Sequence, residues 1–154
     1  MLMRATFAPL LLALSTVAAR RHRRRPAGVL AAGMEHAPGF LRLVDAARAR
    51  VREVSLDDVR AMQARDEAFH LLDVREQDEW ARGHLPGARH LGKGIIERDI
   101  ETTVPDKATE LILYCGGGYR SALATDALQK MGYTNVFSMA GGWKAWKEGG
   151  GKIE

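Results

Sequence analysis

Residues 111–121 read LILYCGGGYRS, an apolar run followed at once by a cysteine, three glycines, a tyrosine, an arginine and a serine. A short continuous apolar run is typical of a strand in the middle of a sheet that is covered on both faces. In an open parallel sheet, ligands bind beyond the C-terminal ends of the strands. The segment therefore predicts a buried central strand at 111–114 that carries Cys115 to the edge of the sheet where chemistry takes place.

The loop after Cys115 is suited to hold a negative charge. Its glycines allow the backbone to curl with its N–H groups pointing inward. Ser121 is expected to open a helix, whose N-terminus adds free N–H groups and the positive end of a dipole. Arg120 brings a positive charge that can hold an anion or brace the loop against a carboxylate. Together these features favour the thiolate of Cys115, the nucleophilic form; a buried cysteine beside a tight turn is the alternative.

The sequence on either side of this strand alternates between strand-like and helix-like patterns. This alternation predicts an α/β domain with a largely parallel sheet. Strands are expected at 51–54, 70–74, 89–91, 111–114 and 136–138. Helices are expected at 40–50, 56–65, 76–82, 95–100, 121–131 and 142–148.

Charge is distributed unevenly along the chain. The 154 residues include 23 basic and 19 acidic side chains, which gives a net charge of +4. Six of the basic residues are arginines within 1–33, which contain no acid, so 34–154 carry 17 basic residues against all 19 acidic ones. The high isoelectric point therefore says little about what the body of the protein binds. We expect no nucleic-acid binding, because the arginine cluster lacks interleaved aromatic residues.

The cysteine and histidine content excludes two kinds of site. With Cys115 as the only cysteine, no intramolecular disulfide can form. The five histidines show no spacing typical of zinc ligands,. We therefore expect no metal, and no other cofactor.

Four motifs, in this order along the chain, resemble the rhodanese family over roughly residues 50–150. LLDVRE at 71–76 and GHLPGA at 83–88 resemble its aspartate-arginine motif and its glycine-histidine-proline segment. CGGGYRS at 115–121 is similar to the family's active-site loop, in which four residues separate a cysteine from an arginine. GGWKAW at 141–146 resembles its C-terminal motif. The resemblance implies a three-layer α/β domain with a central, mostly parallel five-stranded sheet flanked by helices.

The resemblance also implies roles for individual residues. Cys115 is the nucleophile that carries sulfur as a persulfide, and Asp73 and Arg75 brace the site. Alternatives for these two are a carboxylate in a strand-end turn and a surface or structural ion pair. Glu79 is expected to make a helix contact rather than to take part in catalysis. The persulfide- and substrate-binding loop consists of Gly116, Gly117, Gly118, Tyr119, Arg120 and Ser121.

The implied activity is the transfer of sulfane sulfur from a donor such as thiosulfate to a thiol or cyanide. The expected partners are a small-molecule sulfur donor and a thiol or cyanide acceptor, with a protein sulfur acceptor as a further candidate and a monomer by default. Arg120 is the only cation of the loop, which counts against efficient use of dianionic thiosulfate.

Two other functions are open at this point. One is a non-catalytic rhodanese-like module that binds a partner or relays sulfur. The other is a cysteine phosphatase or arsenate reductase. The phosphatase resemblance calls for five residues between cysteine and arginine to surround a tetrahedral oxyanion, whereas four separate Cys115 from Arg120.

The N-terminal region carries conflicting targeting signals. Residues 5–19 are apolar but too short to span a bilayer as a helix,. They resemble a signal sequence, yet the cluster RRHRRR at 20–25 favours retention on the cytoplasmic side. We expect a cytoplasmic protein; an exported or membrane-tethered form is the alternative, with membrane contact only through residues 1–25. The predicted organisation is an extension, tail or segment upstream of the true start over 1–33, a leading helix over 34–50 and a rhodanese domain over 51–150.

Overall fold

A parallel five-stranded sheet forms the centre of the domain. The computed structural model describes residues 36–154, which lie within one compact unit, Glu35–Glu154. Its strands are β1 (Arg52–Val54), β2 (His70–Asp73), β3 (Arg89–His90), β4 (Leu111–Tyr114) and β5 (Val136–Met139). They are arranged in the order β1-β5-β4-β2-β3, and every neighbouring pair is parallel. β4 therefore occupies the central position that its apolar sequence predicts.

Six helices flank this sheet in the described part of the chain. They are α1 (Pro38–Arg48), α2 (Leu56–Ala64), α3 (Gln77–Ala81), α4 (Ile96–Thr103), α5 (Tyr119–Lys130) and α6 (Gly142–Glu148). α2 begins as expected, because the Ser55 hydroxyl accepts the N–H of Asp58 while the Asp58 carboxylate accepts the N–H of Ser55,.

The core lies in two apolar layers, one on each face of the sheet. Successive residues of a strand point to opposite faces. Leu111 and Leu113 of β4 accordingly pack with residues of α4 and α5, whereas Ile112 and Tyr114 pack with residues of α2 and α6. The predicted α/β fold, with three layers and a parallel five-stranded sheet, is confirmed.

Two helices near the loop after Cys115 differ from the sequence-based boundaries. α5 begins at Tyr119 rather than at Ser121, because Gly118 adopts a left-handed φ of +87° and serves as its N-cap,. Arg120 therefore lies in the first turn of α5 and not in the loop. α1 spans Pro38–Arg48 rather than 40–50, with proline at its first turn,.

The extension over 1–33 and its targeting signals lie outside the described residues. Within residues 36–154, the helices are too short or too polar to cross a membrane.

Candidate active site

Cys115 directly follows the central strand and lies at the C-terminal edge of the sheet. Only 1% of the residue is exposed. Because all strands are parallel, the ends of β2 and β5 meet at the same edge, and Asp73 at the end of β2 is paired in register with Tyr114. The motifs at 71–76, 115–121 and 141–146 therefore converge although they are distant in sequence.

Two hydrogen-bond donors reach the sulfur atom of Cys115. The N–H of Gly118 donates to Sγ over 3.2 Å. The hydroxyl of Ser121 lies 3.7 Å from Sγ, and its oxygen is 2.8 Å from the hydroxyl of the fully buried Ser138. If Ser121 gives its single proton to sulfur, its oxygen accepts the proton of Ser138. Ser138, on β5, therefore supports a donor to sulfur, a role that its place in a strand does not reveal in the sequence.

The carbonyl groups of the loop are held by the first turn of α6. The N–H of Trp143 donates to the Cys115 carbonyl over 2.7 Å, and the N–H of Lys144 donates to the Gly116 carbonyl over 2.9 Å. In a trans peptide the C=O and the following N–H point in opposite directions. Anchoring these carbonyls on α6 therefore turns the N–H groups of Gly116 and Gly117 away from α6. These two N–H groups are thus available on the side of the loop opposite α6.

Gly142 makes this contact between loop and helix feasible. Its φ is +52°, and a Cβ atom built there would overlap the carbonyl oxygen of Cys115. Gly141 is also left-handed, with a φ of +73°. The paired glycines of the GGWKAW motif thus let α6 approach the cysteine backbone, a contact that the sequence analysis did not predict.

Arg120 is bound to a carboxylate from α3. Its guanidinium donates to both oxygens of Glu79, over 2.6 and 2.9 Å. Pairing with Glu79 raises the pKa of Arg120, and the neighbouring Cys115 adds to this shift. Of the two roles expected for Arg120, the observed contact is that of bracing the loop against a carboxylate. Glu79, which the sequence predicts only as a helix contact, lies 41 positions before Arg120, so no local pattern indicates the pair.

We expect the Glu79–Arg120 ion pair to make stability depend on pH in the acid range. The hydrogen bonds from Arg120 lower the pKa of Glu79 from 4.5 to about 2. A carboxyl whose pKa is depressed by folding stabilises the native state above its unfolded pKa, and this contribution is lost as the pH falls through the folded value. Urea denaturation should show Glu79→Gln less stable than wild type by about 1–2 kcal/mol at pH 6. This difference should shrink as the pH falls from 4.5 toward 2.

A suitable control for this measurement is Glu148→Gln. The Glu148 carboxylate lies 3.9 Å from Lys144, and both side chains are exposed. This pair should contribute little at any of these pH values. A gap between wild type and Glu79→Gln that stays constant down to pH 2 would contradict the assignment.

Asp73 and Arg75 form a buried ion pair at the end of β2, beside the strand that leads to Cys115. Arg75 donates through Nε and Nη2 to the Asp73 carboxylate, at distances of 2.6–3.0 Å, and Nη2 also reaches the Gly83 carbonyl over 2.7 Å. Both side chains are almost fully buried, at 2% and 0% exposure. The structure thus excludes a surface ion pair for Arg75. Its guanidinium lies 4.4 Å from the ring centre of Trp143, and so connects the pair to α6.

Tyr114 completes this buried polar group. Its hydroxyl accepts the N–H of Leu85 over 3.1 Å. Burial raises the pKa of Tyr114 well above its usual range, and the adjacent Asp73 carboxylate adds to this shift, so the phenol keeps its proton. Through Leu85 and the Gly83 carbonyl, the GHLPGA segment is attached to the strands that carry Asp73 and Cys115. His84 in this segment stacks on Trp80, with ring centres 3.6 Å apart.

The four motifs around this site lie within a domain that is shared with a known protein family. The model of the rhodanese-like domain matches residues 55–149, more than half of the chain. The chain belongs to the rhodanese family. The family that the four motifs predict is therefore confirmed. Membership of the rhodanese family supports a sulfurtransferase-type enzyme.

Curated relatives of this rhodanese include a thiosulfate sulfurtransferase. PspE of Escherichia coli, which bears that name, is 38% identical over 77 residues, covering 50% of this chain and 73% of PspE. YrkF of Bacillus subtilis is 29% identical over 96 residues, covering 62% of this chain. The chain spans about half of YrkF, 51% of its length.

Solved structures show the same fold. A Rhodopseudomonas palustris protein of unknown function, RPA3614, described as a possible tyrosine phosphatase, is 28% identical with a TM-score of 0.67. That match covers 79% of this rhodanese and 100% of RPA3614. The human single-domain sulfurtransferase TSTD1 is also 28% identical, with a TM-score of 0.57 and coverage of 64% and 96%.

Proposed function

We propose that this rhodanese is a thiosulfate sulfurtransferase-like enzyme that carries sulfane sulfur as a persulfide on Cys115. The observation that supports this proposal most directly is the hydrogen bond of 3.2 Å from the Gly118 N–H to the Cys115 sulfur. The carbonyls of Cys115 and Gly116 in the same loop are bound by α6. The substrates are a small-molecule sulfur donor and a thiol or cyanide acceptor. The chemistry requires no cofactor.

The proposed reaction is a double displacement. The Cys115 thiolate attacks the outer sulfur of thiosulfate, a new S–S bond forms, and sulfite leaves with the electrons of the bond that breaks. An acceptor thiolate or cyanide then attacks the terminal sulfur of the persulfide, and the Cys115 thiolate is released. Both steps conserve charge without a proton, an oxidant or a reductant.

The loop supplies the stabilisation that this chemistry needs. Negative charge moves onto the terminal sulfur when the persulfide forms, and preorganised N–H groups stabilise such a charge as an oxyanion hole does for oxygen. In our proposal the donors are the amides of Gly116, Gly117, Gly118, Tyr119 and Arg120, together with the Ser121 hydroxyl. Asp73 and Arg75 brace the site as a buried ion pair and do not touch the reacting atoms.

Intact-mass spectrometry tests this proposal. After incubation with thiosulfate and removal of the donor, the wild-type protein should gain one sulfur, about 32 Da, and lose it on treatment with a thiol reductant. Cys115→Ala should show no gain. If wild type acquires no sulfur from thiosulfate or from another sulfane donor, the enzyme assignment is wrong and the chain is better explained as a binding module.

A cysteine phosphatase is the second candidate, because RPA3614 is described as a possible tyrosine phosphatase. Two features of this rhodanese oppose it. Only four residues separate Cys115 from Arg120, and both arms of the Arg120 guanidinium are already bound to Glu79. Turnover of an aryl phosphate that disappears in Cys115→Ala would establish phosphatase activity; we expect none.

A further inference from the structure

α1 contacts the functional loop although it lies outside the residues matched by the family model, 55–149. It packs against α5 through Val44 and Ala47, which are 0% and 1% exposed. From the C-terminal end of α1, one long side chain reaches Gly118, where the loop ends and α5 begins. The last residue of α1 is Arg48.

Arg48 touches two consecutive residues beside the cysteine. Its Nη2 donates to the Gly118 carbonyl over 3.4 Å, and its guanidinium carbon lies 5.0 Å from the ring centre of Tyr119. Its Nε lies 3.3 Å from a carboxylate oxygen of Glu53. The side chain is about two-thirds buried, with 32% exposed. Arg48 is therefore a second arginine beside this loop, in addition to Arg120 in the first turn of α5, and the sequence offered no indication of it.

The contact with the Gly118 carbonyl has a direct effect on the next amide. Because the peptide unit is planar and trans, holding the Gly118 oxygen on the side of α1 points the N–H of Tyr119 the other way. α6 does the same for the amides of Gly116 and Gly117 by binding the preceding carbonyls. The Tyr119 N–H is also in the first turn of α5, where N–H groups have no intrahelical acceptor. It is thus free to bind an anion.

The Tyr119 ring also contacts Phe40 of α1 and His36, which lies two residues before α1. Its centre lies 4.4 Å from that of His36 and 6.1 Å from that of Phe40. A cation over an aromatic ring adds an electrostatic attraction to these contacts. Both the peptide before Tyr119 and the side chain of Tyr119 are therefore restrained by residues of the N-terminal helical segment.

We propose that Arg48 is a positioning residue for sulfur transfer, which orients the Tyr119 amide toward the terminal sulfur of the persulfide. It acts through the Gly118 carbonyl and the Tyr119 ring and does not itself touch the sulfur. The proposal rests on the sulfurtransferase function. It makes α1 a part of the active site rather than an appendage to the family domain.

Arg48→Ala is the variant that tests this role, and Arg50→Ala is its matched control. Arg50 makes two hydrogen bonds of 2.9 Å to Asp126 of α5, so it also attaches the N-terminal segment to α5 but contacts no loop residue. We expect Arg48→Ala to lower kcat/KM for thiosulfate by about five- to tenfold, mainly through kcat. Arg50→Ala should stay within about twofold of wild type, because it leaves the loop untouched.

Two further measurements separate positioning from general stabilisation. The backbone amide resonance of Tyr119 in a two-dimensional NMR spectrum should shift in Arg48→Ala, which loses the contact with the preceding Gly118 carbonyl, and should remain unchanged in Arg50→Ala. Arg48→Ala should also have a smaller effect in a Tyr119→Ala background than in wild type, because the two side chains act together.

Equal kinetics for Arg48→Ala and wild type, or equal losses in both arginine variants, would overturn the proposal. If wild type takes up no sulfur at all, the sulfurtransferase function fails. The amide resonance of Tyr119 still tests the contact in that case, and an unchanged resonance in Arg48→Ala would refute it independently.

Discussion

Gly142→Ala is expected to slow persulfide formation by about 100-fold, the loss typical of displacing reacting groups by about 1 Å. A Cβ at this position would overlap the Cys115 carbonyl oxygen and lie 3.1 Å from the Gly118 nitrogen. These are backbone atoms, so no side-chain rotation can relieve the overlap. α6 and the loop must separate, and the hydrogen bonds that fix the Cys115 and Gly116 carbonyls are lost. The rate of mass gain with thiosulfate measures the effect.

Gly150→Ala separates the clash from backbone strain. Gly150 also has a left-handed φ, +69°, but a Cβ there meets nothing within 4 Å. The control should lose about 1 kcal/mol of stability and keep its activity. If Gly142→Ala transfers sulfur as fast as Gly150→Ala, the contact between α6 and the loop does not organise the site.

Asp73→Ala is expected to lower the free energy of unfolding by about 3–5 kcal/mol, because it leaves a buried guanidinium without its counter-charge. Arg75 is 2% exposed, and the Gly83 carbonyl would be the remaining acceptor within its described contacts. Urea denaturation at pH 7 gives this quantity, provided that the slope with denaturant is unchanged.

Asp78→Ala is the matched control for this prediction. Asp78 pairs with Arg82 over 3.0 Å, but the two side chains are 70% and 68% exposed. Its removal should change stability by less than about 1 kcal/mol. A second comparison is the double variant Asp73→Leu with Arg75→Met, which removes both charges and should be less destabilised than Asp73→Ala. Similar losses for Asp73→Ala and Asp78→Ala would show that burial of the pair has little energetic weight.

The architecture of the sheet could be predicted from local patterns. The four apolar residues of β4 identify a central strand, and the capping pair Ser55 and Asp58 marks the start of α2. Such features depend only on residues that are close in the sequence, so they can be predicted without knowledge of the tertiary fold. The start of α5 lies two residues before the predicted one, because Gly118 adopts a left-handed conformation that ends the loop and lets the helix begin at Tyr119,.

The partners of the site residues could not be predicted in the same way. Cys115 and its glycine loop are adjacent in sequence, so a local pattern is enough to predict them as one loop. Glu79 lies 41 residues from Arg120, and Arg48 lies 70 residues from Gly118. Packing of α3 and α1 against the rest of the domain brings these side chains together. Their charged residue types alone resemble those of an ordinary solvated helix surface.

The depth of the cysteine suggests how the protein limits which molecules it reacts with. With 1% of Cys115 exposed, its thiol is sheltered from bulky oxidants and from cysteines on the surfaces of other folded proteins. Under the proposed mechanism, formation of the persulfide adds a sulfur atom about 2 Å beyond Sγ, the length of an S–S bond. The enzyme without bound sulfur would then admit only small donors. The persulfide form would offer its terminal sulfur to larger acceptors. The same depth would thus act as a size filter on the first half of the catalytic cycle and be relaxed in the second.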